Sequence, residues 1–283
     1  MTISTALEWA KKLLKSKSVD GPEASAEFLL QQIIGEDKVY IFSHPDQVLT
    51  AEQQKQFEEW ISRRAKHEPV WYITGKIEFL GLYFTVNQSV LIPRPETELL
   101  IEKIAEHIRE GFAPKKVLDV GTGSGAIIIS LANMLKGKSE YFASDISAEA
   151  LEVAKENAEN LGLSDSICFR LGDLFEPWKG QKFDLIVANL PYVPEADLET
   201  LKPDLVNYEP HIALFSGEDG LTLYRKFFQE VGKHLNEHGK IFCEIGYNQG
   251  DKIKDILTQV SPSAEVTVLN DYADVDRIVI IEI

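Results

Sequence analysis

The segment KVLDVGTGSGAIIISLA, residues 116–132, decides how the rest of the chain is read. A short apolar run, Val117 to Val120, precedes glycines at 121, 123 and 125, and an apolar helical pattern follows them. Strand, glycine turn and helix in that order make a ligand cradle. The glycines let the backbone turn tightly and approach a bound group, and the helix presents its free amide end to it. The spacing is Gly-x-Gly-x-Gly, which lacks the last interval of the dinucleotide fingerprint.

Outward from this segment the pattern alternates. Helices are predicted over Pro95–Ile108, Ser124–Leu135, Ala148–Leu161 and Leu221–Leu235, and strands at Lys116–Val120, Glu140–Ser144, Ser166–Leu171, Phe183–Ala188 and Lys240–Glu244. That rhythm is the βαβ signature of a doubly wound, Rossmann-like parallel sheet, so the fold class is α/β. The final run, EVTVLNDYADVDRIVIIEI, breaks it with two strand-like pieces around an acidic turn, as for an antiparallel pair at the sheet's end.

Residues 1–74 read differently, as short helices in a bundle. Leu7, Ala10, Leu13 and Leu14 share one face of the first. Asp20-Gly21-Pro22-Glu23 predicts an N-capped second helix, and Thr50-Ala51-Glu52-Gln53 a capping box ahead of Phe57, Trp60 and Ile61. The stretch from Trp71 to Leu91, rich in β-branched and aromatic residues with Gly81 and Asn87 as turn formers, predicts a hairpin. The expected domains are therefore a helical substrate-recognition domain at 1–74, a β-hairpin linker at 75–92, and the α/β domain at 93–283.

With 283 residues, 44% of them hydrophobic, and a formal charge of −16, the chain has a full core and poor general affinity for phosphate backbones or anionic membranes. No stretch reaches the length of a membrane span, and Cys168 and Cys243 both read as buried hydrophobes in strands, which suits a reducing cytoplasmic setting. The six histidines and two cysteines form no metal-binding pattern, so no metal is expected.

The cofactor half of a site emerges from the strand ends. Asp119 ends the first strand before the loop Gly121, Thr122, Gly123, Ser124, Gly125, where an acid can order the loop amides or attract a cationic centre. Asp145 lies 20 residues beyond Gly125, at the end of the second strand, placed to accept hydrogen bonds from ribose hydroxyls; capping the next helix is its other reading. Asp173 and Leu174 follow the third strand, suited to an adenine amino group and the adenine ring. Together they point to an adenosine-containing cofactor.

The fourth strand ends in Asn189-Leu190-Pro191-Tyr192, and its carboxyl end faces the ligand crevice, so Asn189 is expected to border the cofactor as well as the reacting group. A planar amide or exocyclic amine is a poor nucleophile, and hydrogen-bond acceptors around its N–H groups fix its plane and favour charge developing on nitrogen. The Asn189 oxygen and the Leu190 carbonyl can receive two such hydrogens, Pro191 stiffens the turn, and Tyr192 can wall a flat substrate. This suits methyl transfer from S-adenosylmethionine, where alignment and exclusion of water matter more than a strong base.

These residues resemble the release-factor glutamine methyltransferase family, whose motifs are matched by LIPRPETE at 91–98, DVGTGSG at 119–125, NLPY at 189–192, YEPHIALFSGEDGL at 208–221 and EIGYNQG at 244–250. The likeness spans almost the whole chain. It departs at Leu190, where the family has a proline, and at Ser216, where a glycine is common.

The resemblance implies a class I S-adenosylmethionine-dependent methyltransferase acting on the Gly-Gly-Gln glutamine of class I peptide-chain release factors. It gives Asn189 and the Leu190 carbonyl the grip on the glutamine amide, sets Tyr192 beside it, and assigns Asp145 to the cofactor ribose. A monomer without stable nucleic-acid or membrane binding is expected. Arg94 and Glu96–Glu98 are expected to organise the substrate mouth, and Glu209 and Glu218 to order a loop over it. The alternatives are methylation of an exocyclic base amine, disfavoured by the missing basic track, and a non-catalytic binding module.

Overall fold

The computed structural model describes all residues from Met1 to Ile283. By contact the chain divides into two compact units, Met1–Lys76 with Lys202–Tyr208, and Ile77–Leu201 with Glu209–Ile283. The hairpin from Ile77 thus belongs to the second unit, and the short 202–208 segment to the first, whereas the sequence reading gave the hairpin its own segment and kept 93–283 whole.

The first unit opens with α1 (Ile3–Ser16), α2 (Pro22–Ile34), α3 (Lys38–Ser43), α4 (Ala51–Arg64) and α5 (Val70–Thr74). Its core is made by Leu7, Ala10, Leu14, Leu29, Leu30, Phe57 and Ile61, while Leu13 and Trp60 pack at its margin. The Thr50–Gln53 capping box is present. Asp20 does not cap α2, because Gly21 takes the N-cap position in a left-handed conformation with no side-chain bond; Asp20 instead pairs with Lys202 at 2.5 Å. Buried Arg64 binds Ser25 Oγ and the carbonyls of Glu68 and Asp20, and reaches Asp204 at 4.0 Å.

In the second unit, apart from Lys76 at its start, β1 (Lys76–Phe79) and β2 (Leu82–Thr85) form a hairpin whose turn residues, Leu80 and Gly81, both have positive φ. It is shorter than predicted, since Trp71 to Thr74 are helical. The α/β part then runs α6 (Pro95–Arg109), β3 (Lys116–Val120), α7 (Ala126–Leu135), β4 (Glu140–Asp145), α8 (Ala148–Asn160), β5 (Ile167–Leu171) and β6 (Phe183–Ala188). After α9 (Pro203–Tyr208), which belongs to the first unit, come α10 (Thr222–Val231), β7 (Leu235–Glu244), α11 (Gly250–Val260), β8 (Glu265–Asn270) and β9 (Asp276–Glu282).

The sheet order is β5-β4-β3-β6-β7-β9-β8. The first five strands are parallel and β9 pairs antiparallel with both β7 and β8. The order reverses between β3 and β6, which are neighbours although far apart in sequence. In such a sheet the crevice beyond the carboxyl ends at that reversal is where ligands sit. Central strands are buried on both faces, which is why β6 reads as the unbroken apolar run LIVA.

Three further sequence expectations change. The helix predicted to Leu235 stops at Val231, and β7 starts at Leu235, with a register shift opposite Phe183–Leu185. Helix α11 was not predicted: Ile253, Ile256 and Leu257 have helical spacing, but Gln249 at the N-cap makes no side-chain cap bond, so the usual start signal is missing. Cys168 is exposed, because β5 is the sheet's edge strand; Cys243 is buried as expected.

Candidate active site

A single cleft at the carboxyl ends of β3, β4 and β6 is lined by Gly121, Thr122, Gly123 and Ser124 from the glycine loop, Asp145 from β4, Asp173 and Leu174 after β5, and Asn189, Leu190 and Pro191 after β6. Asp119, Gly125 and Tyr192 stand behind this lining. Ile146, which had no prior role, and Thr97, which had none of its own within the Glu96–Glu98 run, also contribute. Ile146 is 54% exposed, an apolar side chain held open beside Asp145 and well suited to cover a flat ring.

Asp119 is fully buried and accepts the Thr122 hydroxyl at 2.6 Å, so it ties the loop down from beneath. Its other oxygen has no hydrogen-bond partner. Burial pushes this carboxyl from 3.8 up to about 7. An acid whose native pKa is raised contributes stability that is complete below the unfolded value and is lost as pH rises through the native one. Between about pH 4 and 8 that loss is at most about 4 kcal/mol, from 1.36 kcal/mol per unit. Asp119→Asn is therefore expected to gain in relative thermal stability as pH rises across that window, checked by melting both proteins at each pH; a constant difference would contradict it.

Asp145 occupies the cleft rather than the helix cap. Ser147 caps α8 through its hydroxyl, while Asp145 accepts the Gly123 N–H at 2.8 Å on one oxygen and the Ser147 N–H at 2.9 Å on the other. Each carboxylate oxygen keeps a second acceptor site for a diol. Burial raises its pKa. Asp145→Ala is expected to weaken S-adenosylmethionine binding by about 10- to 100-fold, the scale of one or two charge-assisted hydrogen bonds. Calorimetric titration checks this, and an unchanged Kd would refute the assignment.

The fit to S-adenosylmethionine is chemical. Two acids, Asp145 and Asp173, line the cleft against one basic residue, Arg94, and that guanidinium is engaged by Glu209 at 2.6 Å. Glu209 is buried, and its other oxygen accepts the Ile92 N–H at 3.2 Å, so the pair fastens the Ile92–Arg94 segment to the one containing Glu209. A cleft so charged suits a ribose-bearing cation better than a pyrophosphate.

At the end of β6, Leu190 buries its side chain, and its N–H donates to the Tyr224 hydroxyl at 3.4 Å. A Cβ on Gly121 would sit 3.0 Å from Leu190 Cδ2, so the glycine loop and the leucine pack closely. Leucine in place of proline is thus accommodated by the core, and its carbonyl stays available. Neither that carbonyl nor Asn189 Oδ1 receives a hydrogen bond from the chain.

Asn189 Nδ2 donates to Thr97 Oγ1 at 3.2 Å, the Thr97 hydroxyl donates to Glu244 Oε2 at 2.6 Å, and the Tyr192 hydroxyl donates to Glu244 Oε1 at 3.1 Å. Burial raises the Tyr192 and Glu244 pKa values. Tyr192 therefore anchors the loop into the protein, and its ring is not part of the cleft lining. Gln249 braces the same loop, its Nε2 donating to the Tyr192 carbonyl at 2.9 Å and its Oε1 accepting the Gly246 N–H at 2.8 Å. Glu244 and Gln249 carried no role in the sequence reading, and Thr97 entered only as part of the Glu96–Glu98 run: all three fall within the matched motifs, but only the fold brings them together.

Comparison with known proteins decides the family. A "PrmC N-terminal domain" family model matches residues 5–75, and a "Methyltransferase domain" model matches residues 113–265. The release factor glutamine methyltransferase of Bacillus anthracis is 40% identical, with 100% of both chains covered. The chain belongs to the release factor glutamine methyltransferase family. The enzyme of the same description from Koribacter versatilis is 39% identical, over 99% of this chain and 98% of that one.

Among solved structures, the hMettl16 catalytic domain in complex with MAT2A 3′UTR hairpin 1 superposes with a TM-score of 0.57, covering 85% of this chain and 83% of that one. At 17% identity it shares the methyltransferase fold alone. As a member of the family shown above, the chain is an S-adenosylmethionine-dependent methyltransferase, and its fold is of the class I type. No helix is long and apolar enough to cross a membrane.

Proposed function

We infer that Asn189 and Leu190 grip the side-chain amide of a glutamine while it is methylated. The enzyme transfers a methyl group from S-adenosylmethionine to the side-chain amide N5 of the Gly-Gly-Gln glutamine of class I release factors. One observation carries the residue assignment: two unoccupied acceptors, Asn189 Oδ1 and the Leu190 carbonyl, belong to residues lining the same cleft as the glycine loop and Asp145.

Bound S-adenosylmethionine supplies an electrophilic methyl on a positive sulfonium. The chain's own residues supply orientation. Asn189 and Leu190 accept the two amide hydrogens, hold the amide plane, and favour the positive charge that develops on nitrogen as the N–C bond forms and the C–S bond breaks. No strong base is needed, since the methylated nitrogen is acidic and releases its proton to water. The glycine loop, Asp145, Asp173, Leu174 and Ile146 would hold the adenosine portion.

We assign residues 1–74 to recognition of the release factor outside the reacting loop, and propose a cytoplasmic monomer with no membrane or stable nucleic-acid partner. Labelled S-adenosylmethionine incubated with the enzyme, a release factor and total RNA is expected to label the protein alone. Label in RNA would favour the exocyclic-amine reading instead.

A further inference from the structure

Glu244 ends β7 at 1% exposure, and both its carboxylate oxygens are taken by hydroxyl donors, Thr97 on Oε2 and Tyr192 on Oε1. Thr97 comes from the start of α6, Tyr192 and Asn189 from the loop after β6, so three distant segments meet here. Hydrogen-bond directions in this group are not free. Both Glu244 oxygens accept, one from the Tyr192 hydroxyl and one from Thr97, so the single proton of Thr97 points to Glu244. The Thr97 oxygen can then only accept from Asn189, and the donor it meets is Nδ2, at 3.2 Å.

A side-chain amide has one donor end and one acceptor end of nearly equal size, and packing alone cannot choose between them. We propose that Glu244 and Thr97 are positioning residues that fix the Asn189 amide with its NH2 turned inward and its oxygen turned to the acceptor. The inference rests on Asn189 gripping the substrate amide. Its consequence is selectivity: an asparagine held this way welcomes an N–H donor and repels a group presenting a lone pair. A primary amide or amine is admitted on that basis, whereas a carboxylate, such as a glutamate in the glutamine's place, meets oxygen against oxygen.

The test is a double-mutant cycle on the full chain, with single-turnover methylation of a release factor, KM for that factor, Kd for S-adenosylmethionine, and thermal melts. Thr97→Val keeps the shape and removes the hydroxyl; it is expected to lower kcat by about 10- to 100-fold, with KM and Kd within about threefold. Thr97→Ser, which restores the hydroxyl, is expected to recover most of that loss. Adding Thr97→Val to Asn189→Ala is expected to cost nothing further, because Thr97 acts only through Asn189.

Glu244→Gln, which places a donor among donors, is expected to behave as Thr97→Val and provides an independent arm should the valine variant unfold. Thr97→Val or Glu244→Gln at near-normal kcat would overturn the proposal, as would an additive loss on top of Asn189→Ala. Normal transfer by Asn189→Ala itself would be a different failure, that of the grip rather than of its positioning.

Discussion

Asn189→Ala is expected to lower kcat for release-factor methylation by about 10²- to 10³-fold, the range found when one preorganised group that stabilises developing charge is removed. The Kd for S-adenosylmethionine should change by less than about threefold, because the Asn189 side chain's only bond within the chain runs to Thr97, away from the glycine loop and Asp145. Such a split between catalysis and cofactor binding marks an interaction made chiefly in the transition state. Equal losses in both, in a folded variant, would instead make Asn189 part of the cofactor pocket.

Gly220→Ala carries the second large effect, though residue 220 lies far in sequence from the reacting loop. Its φ is +77°, and an added Cβ would come within 2.1 Å of the Tyr192 carbonyl oxygen and 2.9 Å of Gln249 Nε2. The first contact is with backbone, so a rotamer change cannot relieve it. Either the turn at Gly217–Gly220 or the Tyr192 segment has to move, and the Gln249 bond to the Tyr192 carbonyl is strained in both cases. Destabilisation of about 2–4 kcal/mol is expected, together with at least a tenfold fall in transfer by the molecules that remain folded. A variant that melts and turns over like the parent would show that the loop does not need this brace.

Elements with strong local signals were legible in the sequence. Lys116–Val120 and Phe183–Ala188 have the predicted bounds, because each is an apolar run closed by turn or charged residues. The cleft's glycine loop and its acid at Asp145 follow from the same local grammar. What was not legible depends on contacts across long intervals. Asp20 looks like a cap until Lys202, 182 residues away, gives it another partner. Tyr192 reads as a substrate wall, and nothing local to it announces that its hydroxyl is bound to buried Glu244, 52 residues away.

Thr97 shows the limit most clearly. In sequence it is one residue in PRPETE, between two glutamates that attract attention as acids. In the fold Glu98 accepts the Leu80 N–H of the hairpin turn, and it is the threonine that touches Asn189. Likewise Arg94 is committed to Glu209, which no spacing rule connects to it. Family resemblance located these motifs, and only their three-dimensional meeting assigns what each side chain does.

The most direct test of the central claim is to methylate a purified class I release factor with labelled S-adenosylmethionine and locate the methyl group by tandem mass spectrometry. The account predicts one methyl on the side-chain amide nitrogen of the Gly-Gly-Gln glutamine, absent when that glutamine is replaced by alanine and strongly reduced with Asn189→Ala enzyme. A methyl group on another residue, or labelling that persists in the glutamine-replaced factor, would contradict it.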